Sequence, residues 1–207
     1  MTSKHSEQRV WIFIDIQNLY HSSKNLYNSR VNYKELLRHL VADRKLIRAM
    51  AYVVKSEQVL AAAEQSGMIQ ANAQEKTTKS ETTFFDALKQ AGIELRIKDI
   101  QVYPGGMKKA DWDVGMAIDA VRMADFLDVI ILVTGDGDFI QLIEYVKWGK
   151  GREVEVAAFS RSANSKLREV ADEFIALEEI PRVLIRKQHS SSRPGRRAGE
   201  GQLDTTA

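Results

Sequence analysis

The sequence contains no cysteine, and this absence excludes disulfide bonds, thiolate catalysis and cysteine-ligated zinc. It has only three prolines, and no apolar run approaches the roughly 20 residues that a membrane-spanning helix needs. The N-terminal stretch MTSKHSEQRV lacks the apolar core that signal peptides carry. We therefore expect a soluble, cytoplasmic protein that does not enter a membrane.

What the sequence does contain is typical of a globular domain, with 44% hydrophobic and 28% charged residues in a chain of 207. The formal charge of +2 is unevenly spread, because Arg193, Arg196 and Arg197 make the C-terminal end basic. That end is rich in Ser, Gly and Arg and has too few apolar side chains to fold. We predict a flexible N-terminus over residues 1–8, one domain over 9–182, and a basic, largely disordered tail over 183–207.

Short runs of β-branched and aromatic residues predict the strands of one sheet. They are RVWIFIDI, LIRAMAYVVK, IELRIKDI, DVIILVTG and EVEVAAFS, followed by a last apolar piece, EFIALEEI. Apolar stripes and capping residues predict the helices between them. These are a stripe after Asn32, SEQVLAAAEQSG, a stripe closed by Gly92, a helix from about Asp111 to Phe126, FIQLIEYVKWGKG capped by Asp138, and NSKLREVAD. Because largely apolar strands alternate with helices, we predict a three-layer α/β/α sandwich with a mainly parallel central sheet.

Carboxylates stand where the carboxyl edge of such a sheet should be. Asp15 ends the first strand, and Asp136 and Asp138 come directly after VIILV. Asp111 and Asp113 open the helix that leads into VIILV, and such a helix begins at the same edge. Because ligands of open α/β sheets bind outside the carboxyl ends of strands, we expect these acids to face one crevice.

Oxygen ligands without cysteine favour a hard divalent cation, Mg²⁺ or Mn²⁺, over zinc. Such a cation activates water and braces phosphoryl oxygens, which predicts phosphoryl chemistry. Taken singly, the acids also have structural interpretations: Asp138 as a helix cap, and Asp111 and Asp113 as complements of a helix dipole. Asn18 could cap a turn, and Asp119, about 120° around the helix from Asp113, could hold structure by hydrogen bonding.

Two further pairs of residues are candidates for contacting a substrate phosphate. Lys108 and Lys109 lie in a loop just before the central helix, where they could also be plain solvated charges. The stretch PGGMKK is not a P-loop, because it lacks the G-K-[ST] ending. Ser160 and Ser165 follow the strand EVEVAAFS at the predicted edge, although helix capping alone would also explain them.

Four stretches resemble, in order and spacing, the NYN domain family of the LabA-like group, which belongs to the PIN-like nucleases. They are VWIFIDIQNLY, KKADWDVGMAIDAVRMAD, VIILVTGDGDFIQLIEYVKWGKGREVEVAAFS and SKLREVADEFIAL. The resemblance covers about residues 9–180 and implies a PIN-like, Rossmannoid fold.

The resemblance also implies a ligand set. Asp15 matches the family's first-strand metal ligand, with Asn18 as its polar neighbour, and Asp136 and Asp138 match the acidic pair after a later strand. Asp113 matches the acid that heads the central helix. Because the sequence reads KKADWD at that point, Asp111 stays an alternative ligand.

The implied function is a metal-dependent ribonuclease in which Mg²⁺ or Mn²⁺ activates water against an RNA phosphodiester, at Asp15, Asp113, Asp136 and Asp138. The expected partner is RNA, single-stranded or structured, and a homodimer is a further expectation. A regulatory RNA-binding module with an inactive pocket is the alternative, and it would draw affinity from the basic tail. A haloacid-dehalogenase-type phosphatase is disfavoured, because Gln17 stands where that class needs a second aspartate.

Overall fold

The computed structural model describes residues 4–54, 83–98, 101–102, 108–109 and 111–186. The strands are β1 (Arg9–Asp15), β2 (Ser29–Val31), β3 (Lys45–Val54), β4 (Glu94–Lys98), β5 (Gln101–Val102), β6 (Lys108–Lys109), β7 (Val129–Val133), β8 (Glu153–Ala158), β9 (Glu173–Ala176) and β10 (Leu184–Arg186). A six-stranded sheet has the order β4-β3-β1-β7-β8-β9, and every pairing in it is parallel. Two small antiparallel pairs, β2 with β10 and β5 with β6, lie outside it.

Helices connect the parallel strands. They are α1 (Ile16–Tyr27), α2 (Tyr33–Val41), α3 (residues 83–90), α4 (Asp113–Met123), α5 (Ile140–Glu144) and α6 (Ser165–Val170). A 3-10 turn, Ala124–Phe126, prolongs α4, and another, Gly137–Phe139, precedes α5. A π-helical turn, Tyr145–Gly149, follows α5, so the predicted helix FIQLIEYVKWGKG consists of three kinds of helical turn.

Strand β1 is buried on both faces, and alternate side chains enter two different cores. Val10, Ile12 and Ile14 pack in one core with residues of α1 and α2. Trp11 and Phe13 pack in the other core, which includes residues of α4 and α5. Because the sheet has helices against both faces, the predicted three-layer α/β architecture is confirmed.

The order of the strands creates a reversal at β1. The chain moves outward from β1 through β3 to β4, and then returns to place β7 on the opposite side of β1. From there it continues outward through β8 to β9. The carboxyl ends of β1 and β7 are therefore neighbours at a topological switch point, which is where open α/β sheets bind ligands.

A buried ion pair joins α2 to β8. Arg44, just before β3, donates from both terminal nitrogens to the two carboxylate oxygens of Glu155, at 2.5 and 3.0 Å. The same guanidinium donates to the carbonyls of Leu40 and Val41 at the end of α2. Both charged side chains are almost completely buried, at 1% and 0% exposure. Each therefore needs the other as its hydrogen-bonded counterion, because an unpaired buried charge is strongly destabilising.

Two local features differ from the prediction. Helix α1 and strand β2 follow β1 directly, in a stretch for which the sequence pattern predicted no element. The prediction that Asp138 caps the following helix is wrong, because the capping side chain is Asp136, which accepts a hydrogen bond from the Asp138 N–H. The predicted helix SEQVLAAAEQSG, most of the loop before α4, and the tail beyond residue 186 lie outside the described residues.

Within the part of the chain that the structure describes, no helix has both the length and the apolar character needed to cross a membrane.

Candidate metal centre

Asp15 ends β1 and caps α1. Its backbone is extended (φ −78°, ψ 97°), and its Oδ1 accepts the backbone N–H of Asn18 at 3.1 Å. An aspartate in this geometry satisfies one of the free N–H groups at a helix start. The role of turn cap that the sequence suggested for Asn18 thus belongs to Asp15.

Thr134, directly after β7, connects the two neighbouring strand ends. Its hydroxyl donates to Asp15 Oδ2 at 3.1 Å and accepts the backbone N–H of Asp136 at 3.2 Å. Asn18 Oδ1 accepts the N–H of Gly135 at 3.0 Å. The end of β1, the start of α1 and the loop after β7 are therefore held as one hydrogen-bonded unit.

The loop after β7 packs closely against residues 162–164. Gly135 accepts the Asn164 N–H at 3.0 Å, and a Cβ on Gly137 would lie 2.5 Å from Asn164 Nδ2. A larger residue at position 137 would force the Asn164 side chain, which caps α6, to shift. The close packing fixes the loop in the position at which Asp136 faces the cleft.

Asp113 is the first residue of α4, and Trp112 anchors this end of the helix. The Trp112 indole donates to the Val53 carbonyl at the end of β3 at 2.9 Å, and its ring packs edge-on against Tyr52, with centroids 5.4 Å apart. The helix start has no side-chain cap. The position of Asp113 relative to the sheet therefore depends on the indole of its neighbour.

Three carboxylates form a cluster that could hold a metal ion. Asp113, Asp136 and Asp138 each offer an oxygen atom, and these atoms lie within 4.8 Å of one another. Asp113 and Asp136 are half-buried and line a cleft of about 390 Å³, whereas Asp138 is exposed. Such a donor set, made of carboxylate oxygens alone, fits Mg²⁺ or Mn²⁺.

Asp15 lines the same cleft but is not one of the three clustered acids. Both of its carboxylate oxygens already accept hydrogen bonds, from Asn18 and from Thr134. Each oxygen keeps a second lone pair, so the side chain can still accept a further bond. Asp111 also lines the cleft, so both aspartates of KKADWD reach it, and Asp113 is the one that joins the cluster.

Burial and the repulsion between these acids raise the pKa of two of them, Asp113 and Asp15. Burial is the main cause that raises the pKa of Asp113 to about 6, and the negative charges of Asp15, Asp136 and two further aspartates add to it. Burial also raises the pKa of Asp15, against the hydrogen bonds from Asn18 and Thr134, which lower it. A cation in the cleft would offset both effects, because it favours the ionised carboxylates.

Helix α1 forms one wall of the cleft, and this wall carries no acid. It is formed by Gln17, Asn18, His21 and Ser22. Amide, imidazole and hydroxyl groups can donate hydrogen bonds, so this wall suits an anionic ligand better than the acidic wall does.

Asp119 does not line this cleft. It is buried on α4, accepts the Tyr52 hydroxyl at 2.9 Å and pairs with Arg96 of β4 at 2.8 Å. These contacts tie α4 to β3 and β4, which agrees with the structural role that the sequence left open for it.

Of the four residues predicted to bind phosphate, Ser160 and Ser165 are not among those lining the cleft. The Ser160 N–H donates to both carboxylate oxygens of Glu178, at 3.1 and 3.2 Å. Ser165 begins α6, whose first free N–H groups are bound by Asn164. Lys108 and Lys109 form β6 by their backbone. A phosphate-binding role for all four stays a prediction.

Sequence reasoning missed Thr134 and Trp112, which position the acids without being acids themselves. A signal for Thr134 was present, because a buried hydroxyl between an apolar strand and an aspartate needs a partner. No comparable signal marks Trp112, since its partner Val53 is distant in sequence and is used only through its backbone.

Comparisons with known proteins agree with this architecture. A family model described as the NYN domain matches residues 9–178. The low amplitude and bright protein LabA of Synechococcus elongatus is 27% identical over 111 residues, which are 51% of this chain and 59% of that protein. The match therefore spans less than two thirds of the length of LabA.

Two solved structures are similar in fold to different degrees. A protein of unknown function from Vibrio parahaemolyticus matches with a TM-score of 0.72 at 26% identity, covering 89% of this chain and 100% of that one. The T5 D15 protein, co-crystallised with metal ions, matches with a TM-score of 0.41 at 16% identity, covering 78% of this chain and 59% of that one. The second likeness is too low to support an argument.

The parallel sheet and the acids at its switch point define the class: an α/β domain with a carboxylate centre suited to a divalent cation. The family model covers nearly all of that domain. The chain belongs to the NYN domain family, as the resemblance of its four motifs predicted.

Proposed function

We propose that this NYN protein is a metal-dependent, endoribonuclease-like enzyme that hydrolyses RNA phosphodiester bonds in the cleft. The observation that carries the proposal is the cluster of Asp113, Asp136 and Asp138, with carboxylate oxygens within 4.8 Å of one another. Membership of a family that resembles the PIN-like nucleases supports it. The acid-free wall of α1 supports it too, since it leaves room for a phosphate.

The three clustered aspartates would hold Mg²⁺ or Mn²⁺ directly. When bound, the ion supplies an activated water and neutralises charge on the phosphate. Asp15, held by hydrogen bonds from Asn18 and Thr134, would accept a hydrogen bond from that water and act as its general base. Gln17, His21 and Ser22 would donate hydrogen bonds to the phosphate oxygens.

The test is to incubate single-stranded and structured RNA with the protein in Mn²⁺, Mg²⁺ or chelator, alongside Asp113→Asn, Asp136→Asn and Asp15→Asn. We expect metal-dependent cleavage by the wild type and a loss of about 100-fold or more in the variants, because several kcal/mol of charge stabilisation is removed. Asp125→Asn is the matched control, since Asp125 lies beyond the far end of α4 and pairs with Lys150. Cleavage that survives chelation, or that is equal in all variants, would refute the proposal.

A second candidate function is a catalytically weak RNA-binding or regulatory module of the same fold. It is favoured by the basic C-terminal end of the sequence, which carries Arg193, Arg196 and Arg197. In this case the basic residues beyond 187 would supply affinity, and deleting residues 188–207 should weaken RNA binding and flatten its salt dependence. Cleavage that persists after this deletion would make the tail a tether and the cleft the enzyme.

A haloacid-dehalogenase-type phosphatase receives no support, because Gln17 lies on the α1 wall of the cleft and Asp15 is engaged as a helix cap. The cytoplasmic location and the homodimer stay predictions. Cell fractionation and light scattering of the purified protein would test them.

A further inference from the structure

The exposed side of α1 carries a stripe of residues that begins in the cleft and continues past its edge. Gln17, Tyr20, His21 and Lys24 are spaced as neighbours on one helix face, and all are exposed. Ile16, Leu19 and Ser23 form the buried face opposite. Gln17 and His21 also line the cleft, so the stripe is continuous with the proposed active site.

The members of this stripe contact one another. The Tyr20 and His21 rings meet edge to face, with centroids 5.6 Å apart, and Lys24 Nζ lies 5.4 Å from the centre of the Tyr20 ring. Tyr20 is 45% exposed, so much of its ring surface faces solvent. The result is an exposed aromatic surface with a cation at its outer end and an imidazole at its inner end.

Beyond the acidic cleft, the segment that carries this stripe has charges of one sign along the chain. No acid occurs between Asp15 and Glu35, whereas Lys24, Arg30 and Lys34 all fall in that interval. Within the described part of the chain, no carboxylate pairs with Lys24. A free lysine beside an exposed ring fits a ligand that offers a planar base and a phosphate together.

We propose that Tyr20, His21 and Lys24 form a base-stacking subsite that receives an unpaired nucleotide next to the scissile phosphate. The substrate is then single-stranded RNA, since bases in a duplex are stacked on each other and cannot reach an aromatic side chain. Tyr20 stacks on the base, Lys24 contacts the adjacent phosphate, and His21 holds the inner edge of the platform. This inference rests on the proposed function for its direction, because the acidic cleft defines where the phosphate lies.

Binding can be measured without cleavage. A fluorescent single-stranded RNA of roughly 12 nucleotides, within the usual site sizes, is titrated in chelator with wild type, Tyr20→Ala, Tyr20→Phe and Lys24→Gln. We expect Tyr20→Ala to weaken binding roughly tenfold or more and Tyr20→Phe to keep the affinity of the wild type. Lys24→Gln should reduce the slope of log affinity against log salt by about 0.7.

Tyr145→Ala is the matched control. Tyr145 is 50% exposed and lies on the π-helical turn, which packs in the core on the opposite face of the sheet from α1, so its loss should leave RNA binding unchanged. A 2-aminopurine base in the same RNA gives a direct signal of stacking, with fluorescence quenched by wild type and Tyr20→Phe but not by Tyr20→Ala. Should Tyr20→Ala unfold, Tyr20→Gln and Lys24→Gln give independent readings of the same surface.

The inference and the proposed function can fail separately. Quenching by the wild type that Tyr20→Ala abolishes, in a protein that never cleaves RNA, supports the subsite and refutes the nuclease. Metal-dependent cleavage, combined with RNA affinity and quenching that Tyr20→Ala leaves unchanged, supports the nuclease and refutes the subsite. Equal affinity for duplex and single-stranded RNA, weakened equally by Tyr20→Ala, overturns the subsite, and a single-stranded DNA of the same sequence reports whether the 2′-hydroxyl contributes.

Discussion

At the scale of single residues, Thr134 is the buried hydroxyl on which two of the acids depend. We expect Thr134→Val, which keeps the shape and removes both hydrogen bonds, to lower Mn²⁺ affinity about 10-fold or more, because the groups behind ligands orient them. The unfolding free energy should fall by about 1–3 kcal/mol, since Asp15 and the Asp136 N–H lose their partner. Calorimetric titration with Mn²⁺ and urea unfolding measure the two effects.

Ser29→Ala is the control for this variant, because it also removes a buried hydroxyl, one that donates to the Tyr27 carbonyl outside the cleft. Unchanged Mn²⁺ affinity in Thr134→Val would contradict the positioning role.

Asp128 gives a pH-dependent contribution to stability. The Arg9 side chain donates to both of its oxygens, at 2.8 and 2.9 Å, and this hydrogen bonding is the main cause that lowers the pKa of Asp128 to about 2. The stabilisation is therefore present above the unfolded value of about 3.9 and is lost as the pH falls toward the folded value. Solvent screening limits it to about 1 kcal/mol or less, because the pair is partly exposed.

The measurement is urea unfolding of wild type and Asp128→Asn from neutral pH down to strongly acidic pH. The wild type should be the more stable at neutral pH, and the difference should shrink as the pH falls below the unfolded pKa. A difference that grows with acidity has the wrong sign and would contradict this assignment.

At the scale of elements, the start of α4 is fixed by contact between Gly115 and Trp112. A Cβ on Gly115 would lie 2.6 Å from Trp112 Cε3, and Trp112 is itself held by Val53. Alanine normally favours a helix over glycine by about 1 kcal/mol, yet we expect Gly115→Ala to destabilise the protein by about 1–3 kcal/mol. Cleavage should fall as well, since the displaced ring shifts Asp113.

A double-mutant cycle tests the cause. Trp112→Phe has a smaller ring, so adding Gly115→Ala to it should cost less than Gly115→Ala alone. Additive costs would show that the clash is not with Trp112.

The ion pair of Arg44 and Glu155 links α2 to β8 through the core. Glu155→Gln leaves the arginine charge buried without its counterion, so we expect a loss of about 3–5 kcal/mol in unfolding free energy. Replacing both charges, as Arg44→Met with Glu155→Leu, should recover much of it. Chemical unfolding of the single and double variants measures both effects. Asp125→Asn, which breaks the exposed ion pair with Lys150, is the control and should cost under about 1 kcal/mol.

The sequence pattern predicted five of the six strands of the parallel sheet, because runs such as VIILV have few other stable placements, and it left the sixth, β9, as an apolar piece without an assigned structure. It did not predict α1, whose buried face includes the polar Ser23 and whose cap is a residue already assigned to the metal site. It correctly predicted that Asp113, Asp136 and Asp138 lie at one edge of the sheet, because the carboxyl ends of parallel strands meet there. It could not predict that both oxygens of Asp15 already accept a hydrogen bond, because one of these bonds comes from a hydroxyl 119 positions away.

At the scale of the whole molecule, a cation that binds the folded centre should stabilise the entire fold. Ligand at about 100 times its Kd raises the unfolding free energy by about 2.7 kcal/mol. We therefore expect Mn²⁺ to raise the melting temperature of the wild type and to leave that of the double variant Asp113→Asn with Asp136→Asn unchanged. A rise of equal size in both would place the bound ion elsewhere, and Asp125→Asn should respond like the wild type.

The reversal of strand order at β1 has a consequence for synthesis of the protein. Asp15 is translated early, but its partner Thr134 and the acids after β7 follow 119 or more positions later. The centre can therefore assemble only after most of the chain has left the ribosome and β7 has docked beside β1. A nascent chain that ends before β7 has the cap of α1 but no acidic cluster, so the order of the strands delays the centre until β7 and the loop after it have been synthesised.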